Sequence, residues 1–315
     1  MNWHCNNDKY LTKMNSFSCL LPVLVLVICS CKTPMNNSII NNSSLDLQGH
    51  RGARGLMPEN TIPAMIKAID LGVTILEMDV VISKDNKVVV SHEPYFSEII
   101  TTTPEGKYLT KKEAEDHLIY KMTYDSIMKY DVGLKPHPAF PGQQKLKAYK
   151  PLLSELIDST EVYTKAKGRK IFYNIEIKSN KETDDIRHPS PAVFAGLLFD
   201  VLRQKNILDR TVIQSFDVRP LQFLHNNHSE IKLSYLFENP ALSLDQQLLL
   251  LGFTPDIFSP HYLMINKKLV EDCHQKSIKI IPWTVNTLDE MNKLISMGVD
   301  GIISDYPDLF AHIKI

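Results

Sequence analysis

The sequence predicts an α/β protein built as a closed (β/α)8 barrel, on three observations. From residue 45 onward, short β-rich runs alternate with longer amphipathic ones, the signature of repeated strand-helix units around a parallel sheet. Eight strand runs can be counted. Several of the helical runs stop at a glycine, notably Gly72, Gly252 and Gly298. Eight units within residues 45–315 suit a closed barrel better than an open doubly wound sheet.

In order, the expected strands cover 45–50, 75–81, 170–177, 211–216, 231–237, 256–259, 279–285 and 301–304. Between them lie "TIPAMIKAIDLG", "LLSELIDSTEVYTKA", "PAVFAGLLFDVLRQKN", "RPLQFLHNN", "LSLDQQLLLLG", "KKLVEDCHQKS" and "TLDEMNKLISMG", each with apolar residues near helical spacing. Pro63 sits in the first turn of the first helix, where its missing N–H costs nothing. The rhythm breaks after the second strand. Residues from about 95 to 150 cluster Pro, Lys and Tyr without a barrel unit, which marks an insertion or functional loop.

The N-terminus has a different character. Lys9 and Lys13 precede the apolar run "LLPVLVLVI", which leads into "CSC". That order reads as a secretory signal over residues 1–31, since the run is shorter than the ~20 apolar residues that span a bilayer. Ile28-Cys29-Ser30-Cys31 resembles a bacterial lipobox, with Cys31 as the acylated residue; a plain signal peptide is the alternative. Residues 32–44 are polar and aperiodic, a flexible tether. The expected location is outside the cytoplasm, on a membrane through a lipid on Cys31, facing periplasm or cell surface. Of five cysteines, only Cys273 then remains in the folded part, so no internal disulfide forms. The formal charge of −1 with dispersed Lys and Arg excludes the basic footprint of nucleic-acid binding. Nothing in the sequence sets the oligomeric state.

Chemistry concentrates at the expected strand ends. In "ILEMDVV", Glu77 and Asp79 are two apart and share a face, while Met78 points the other way. In "YNIEIKS", Glu176 and Lys178 repeat the device. Adjacent carboxylates repel unless one is protonated or a cation lies between them. Three acidic oxygen donors describe one hard divalent cation, Ca²⁺ or Mg²⁺; surface salt bridging is the plainer alternative. His50 closes the first strand, and His92 follows the turn after the second. Loops on one barrel rim bring both imidazoles toward the carboxylates.

"HRG", "PENT", "EMDVVISKDNKVVVSHEP", "NIEIK", "PWTVN" and "GIISDYP" together resemble the glycerophosphodiester phosphodiesterase family, from about residue 45 to the end of the chain. Two departures are small. Lys84-Asp85-Asn86 stands where the family commonly has a glycine turn, and Asn tolerates the positive φ required. Glu93 follows His92 where the family often has Asp.

The resemblance implies a TIM barrel that hydrolyses glycerophosphodiesters to glycerol 3-phosphate and an alcohol with a divalent cation. It implies Glu77, Asp79 and Glu176 as metal ligands, His50 and His92 as the acid-base pair, and Arg51 and Lys178 as phosphate contacts. We assign His50 as base and His92 as acid; either water or the glycerol 2-hydroxyl is the attacker. Gly52 and Gly55 are expected to let the backbone turn at the rim. Glu59 and Asn60 orient Arg51 or its loop, with helix capping by Asn60 or Thr61 as the alternative. Trp283 and Phe216 end strands and line either the substrate pocket or the core, and Asp305 orients a rim group or caps the last helix. Competing readings are a phospholipase D-like enzyme on intact lipids, a tethered phosphodiester-binding protein without turnover, and a barrel glycosidase, which the histidines and Lys178 suit poorly.

Overall fold

The computed structural model describes residues 45–314, so the leader, the tether and the expected acylation of Cys31 lie outside the described residues. The strands are β1 (Asp46–Gly49), β2 (Ile75–Ile82), β3 (Val88–Val90), β4 (Phe172–Ile177), β5 (Thr211–Ser215), β6 (Lys232–Phe237), β7 (Ile257–Pro260), β8 (Lys279–Ile280) and β9 (Gly301–Ser304). Eight of them run parallel in the order β8-β7-β6-β5-β4-β2-β1-β9. Backbone bonds from Asp300 to Ile280 (3.0 Å), Ile303 to Pro282 (3.1 Å) and Val285 to Ile303 (2.9 Å) join the two ends of that path. The (β/α)8 barrel expected from the sequence is thus the observed fold.

Two strands differ from expectation. The eighth barrel strand, expected to run to Val285, is regular only over Lys279–Ile280. Pro282 has no N–H to offer the ladder, and the chain leaves regular pairing there. The ninth strand, β3, was not foreseen: it pairs antiparallel with β2 in the register Val80↔Val90 and Ile82↔Val88. The turn between them places Asn86 at φ 58°, as its substitution for a turn glycine anticipated. This hairpin returns the chain to the rim and delivers His92 there.

The helices are α1 (Ile62–Asp70), α2 (Lys111–Asp116), α3 (Tyr124–Ile127), α4 (Leu153–Ala166), α5 (Pro191–Gln204), α6 (Val218–Asn227), α7 (Leu244–Leu251), α8 (Lys267–Gln275) and α9 (Leu288–Ser296). Thr61, not Asn60, caps α1, accepting from the Ala64 N–H. The helix turns Ala64, Met65, Ala68 and Ile69 onto the sheet. Burying a side chain the size of Met65 or Ile69 contributes about 2 kcal/mol.

The core between sheet and helices is aliphatic, with Leu76, Met78, Tyr173, Ile175, Leu198 and Phe258 among its fully or nearly buried members. Inside the barrel the chemistry changes. Asn174 donates to both Gln48 and Gln214 over 2.9 Å, so a layer of hydrogen-bonded amides lies below the carboxylates, with the Asn174 Oδ1 itself left without a partner.

Residues between β3 and α4 form a folded insertion. Val81, Val89, Phe96, Leu109, Ile119, Ile127, Val132 and Ala148 make a separate apolar cluster, with Phe96 stacked on Tyr130 at 4.1 Å. Asp131 ties the loop together, accepting from the N–H groups of Gly133, Leu134 and Ala148 at 2.8–3.1 Å. Among the described residues, no helix is long and apolar enough to cross a membrane.

Candidate active site

Parallel strands all point their C-terminal ends at one rim, and the chemistry collects there. β2 presents Glu77 and Asp79 inward while Met78 packs into the core; β4 presents Glu176 in register with Asp79. Oxygens of the three buried carboxylates lie within 4.8 Å of one another.

Cationic side chains reach only part of this cluster. Lys178 donates to Glu176 over 2.8 Å and stands 3.6 Å from Asp79. Arg51 Nε lies 3.3 Å from Asp79 Oδ2, which also accepts from Asn60 over 2.8 Å. Glu77 meets neutral donors instead, the Arg51 backbone N–H at 2.8 Å and the Gln214 amide at 2.9 Å. The proton affinities follow. Burial and the Asp79 charge push Glu77 well above the usual carboxylate range. Burial also opposes the charge on Asp79, but Arg51, His92 and Lys178 overcome it and hold Asp79 well below. Glu176 is raised by burial, with Lys178 opposing. Three buried hard oxygen donors, two of them, Glu77 and Glu176, pushed toward protonation by burial and by the neighbouring Asp79 charge, fit a divalent ion of the Ca²⁺ or Mg²⁺ class.

The "HRGARGLMPENT" segment wraps this cluster. Its backbone is pinned where His50 N–H meets Ser304 and Gly55 N–H meets the Asp305 carbonyl, both at 2.8 Å. Arg51 sits at φ 49° and Gly52 at φ +86°; a Cβ on Gly52 would lie 2.6 Å from the Ala64 backbone. Gly55 serves a different purpose from the expected turn. Its φ is ordinary, and its missing side chain makes room for the Tyr306 ring, which a Cβ would meet at 2.4 Å. Glu59 accepts from Arg51 over 2.9 Å and from Arg54 over 2.6 Å, and is held well below the carboxylate range, the two guanidinium charges outweighing burial. Asn60 both donates to the Asp79 carboxylate and accepts from its N–H, so it orients a site carboxylate rather than a helix.

Each of the two histidines is held through its Nδ1 by a carboxylate. His50 donates from Nδ1 to Asp305 Oδ1 over 2.6 Å, and burial lowers its pKa despite that neighbour. His92 donates from Nδ1 to Glu93 over 2.7 Å. His92 and Lys178 line one cavity of about 290 Å³ with Glu176, Arg187 and Phe216. Trp283 stands at the rim edge-on to Phe216 at 5.4 Å, its indole N–H committed to the Ser259 carbonyl at 2.8 Å.

Sequence reasoning assigned no site role to several residues that belong to this network. Asn286 donates to Asp305 over 2.8 Å, Gln214 to Glu77, and Arg54 to Glu59. Buried Lys150 and His137 approach from the insertion. Only Asn286, within "PWTVN", and Arg54, within the opening loop, carried a local signal.

The chain is similar to known phosphodiesterases over most of its length. A glycerophosphodiester phosphodiesterase of Caldanaerobacter subterraneus is 28% identical over 262 residues, 82% of this chain and 93% of its own length. A Silicibacter pomeroyi protein provisionally named for the same activity superposes with a TM-score of 0.75 at 29% identity, covering 85% of this chain and 94% of that one. An Oleispira antarctica phosphodiesterase solved with the product sn-glycerol-3-phosphate shares the fold, with a TM-score of 0.68 at 23% identity and coverages of 85% and 95%. Residues 50–309 match the model of the glycerophosphoryl diester phosphodiesterase family, and the chain belongs to that family.

Proposed function

We propose that this chain hydrolyses glycerophosphodiesters to glycerol 3-phosphate and an alcohol, using one divalent cation held by Glu77, Asp79 and Glu176. The observation that carries the reading is the convergence of those three carboxylates beside a histidine already oriented by Asp305. Family membership and the activity in the Caldanaerobacter relative's name support the substrate class. A divalent cation held by these three carboxylates would supply Lewis-acid neutralisation of the phosphoryl charge.

The chain's own residues divide the remaining work. Asp305 fixes the proton of His50 on Nδ1, leaving Nε2 as a lone-pair acceptor for the proton of the attacking hydroxyl. Burial keeps His50 neutral and ready to accept. His92 enters the step as the imidazolium, its Nδ1–H held by Glu93, gives its Nε2 proton to the departing alkoxide and is left neutral. Lys178 and Arg51 balance phosphate charge in a setting of low dielectric, where their attraction exceeds its value in water. Glu59 and Asn60 hold Arg51 and Asp79 in place, and Trp283 with Phe216 walls one side of the mouth.

The test is release of glycerol 3-phosphate from glycerophosphocholine or glycerophosphoethanolamine, with and without chelator. Metal-dependent release is expected; binding of these diesters without turnover would overturn it. We extend the reading to location: a lipid on Cys31 holds the chain to a membrane outside the cytoplasm. Cys31→Ser should move the protein from the membrane to the soluble fraction, and unchanged membrane association would contradict the anchor.

A further inference from the structure

We propose that the small cavity between the β1 loop and the insertion is a subsite for a carboxylate carried by the departing alcohol, and that Lys150 selects it. The inference rests on the diester-hydrolysis reading above. The cavity measures about 100 Å³, and its charged and imidazole lining is Arg51, Arg54, Glu59, His92, Glu93, His137 and Lys150.

Lys150 is 5% exposed. Its ammonium donates to Ser91 Oγ over 2.7 Å, a neutral partner that in turn donates to the Glu93 carbonyl. Among the described residues it makes no ion pair within 4.0 Å. Burial brings its pKa down to about 8, which leaves it charged at neutral pH. Glu59, Glu93 and Asp79 act on it only from beyond ion-pair distance, and a buried cation without a direct carboxylate partner is costly, so an apolar side chain of the same length would fill the space better.

The rest of the wall offers donors as well. Both oxygens of Glu59 are taken by Arg51 and Arg54. His137 Nδ1 accepts from the Ala139 N–H at 3.1 Å, so its neutral ring carries the remaining proton on Nε2. Glu93 also lines the wall, with Oε1 on His92 Nδ1, so Arg51, Arg54 and Lys150 face two carboxylates that are already engaged, and an anionic ligand oxygen balances the remaining positive charge.

Position assigns that oxygen to the alcohol. His92, which protonates the departing alkoxide, borders this cavity on one side and the larger cavity of about 290 Å³ on the other. The larger one is lined by the polar side chains of Ser179, Asn180 and Thr183, which suit glycerol hydroxyls; the smaller one is left for the alcohol. Its volume matches a serine-sized group and excludes an acyl chain.

Glycerophosphoserine and glycerophosphoethanolamine differ by one carboxylate and form the test pair. For the full chain loaded with Ca²⁺ or Mg²⁺, kcat/KM for the serine diester should exceed that for the ethanolamine diester about 10- to 100-fold, the worth of one charged hydrogen bond. Lys150→Met should erase the preference, leave ethanolamine turnover within about twofold, and raise the melting temperature of the free protein. Lys150→Gln guards against misfolding of the Met variant and should also lose the preference. Equal rates on the two diesters in the unaltered chain, or equal loss of both in either variant, would overturn the subsite while leaving the hydrolase reading intact. If no diester turns over, calorimetric binding of the same pair decides: tighter binding of the serine diester that Lys150→Met abolishes sustains the subsite, and equal binding overturns it.

Discussion

His50 Nδ1 and Asp305 Oδ1 stand 2.6 Å apart, joining the end of the first barrel strand to the end of the last across 255 residues of sequence. Asn286 donates to the other Asp305 oxygen and accepts from the Asp305 N–H, so the carboxylate is itself held. This arrangement fixes which imidazole nitrogen is free to take a proton.

Asp305→Asn should therefore lower kcat by about 10²-fold or more, the scale of a misdirected general base, with little change in KM. Circular dichroism should show the fold intact. An unchanged kcat would remove Asp305 from the account.

The pH profile has a defined sign. His50 works only when neutral; burial lowers its pKa below the ordinary 6.5, and Asp305 offsets this in part. Activity should fall on the acid side with a midpoint below 6.5. Asp305→Asn removes the raising charge and should move that midpoint lower still. A midpoint above 6.5 in the unaltered chain would contradict the assignment.

Much of this was readable in one sequence because strand alternation is local. Glu77 and Asp79, or Glu176 and Lys178, announce a shared face from two-residue spacing alone, and the structure keeps both pairs together. Partners made by chain closure leave no such trace. Asp305 was readable only as one of two alternatives, and Gln214 meets Glu77 across 137 residues. The insertion hid its order for a related reason: Phe96, Leu109, Ile119 and Val132 pack together without any helical or strand period. The hairpin of β3 with β2 is three residues long and read as a turn flank.

Gly52→Ala should destabilise the chain by about 2–3 kcal/mol, combining a positive φ with a clash against the Ala64 backbone. Thermal or denaturant unfolding measures it. Gly142→Ala, where an added methyl meets nothing within 4 Å, serves as the control and should cost far less.

Stability and activity should separate at the opposite end of the barrel. Arg210 makes two bonds to Glu161 at 2.9 Å and one to the Ile171 carbonyl at 2.8 Å, and Tyr173 also donates to Glu161. Arg210→Ala should cost about 1 kcal/mol, since the pair is partly solvated, and leave kcat/KM unchanged. A large loss of turnover in a folded variant would show coupling that this structure does not contain.

The most direct measurement of the central claim is metal content beside turnover. The chain is stripped with chelator and equilibrated with Ca²⁺ or Mg²⁺; bound metal and glycerol 3-phosphate release are then measured on the same sample. One ion per chain should restore activity and raise the melting temperature, while Asp79→Asn should lose both responses. Full turnover by the metal-free chain, or undiminished binding by Asp79→Asn, would contradict the claim that these three carboxylates hold the working ion.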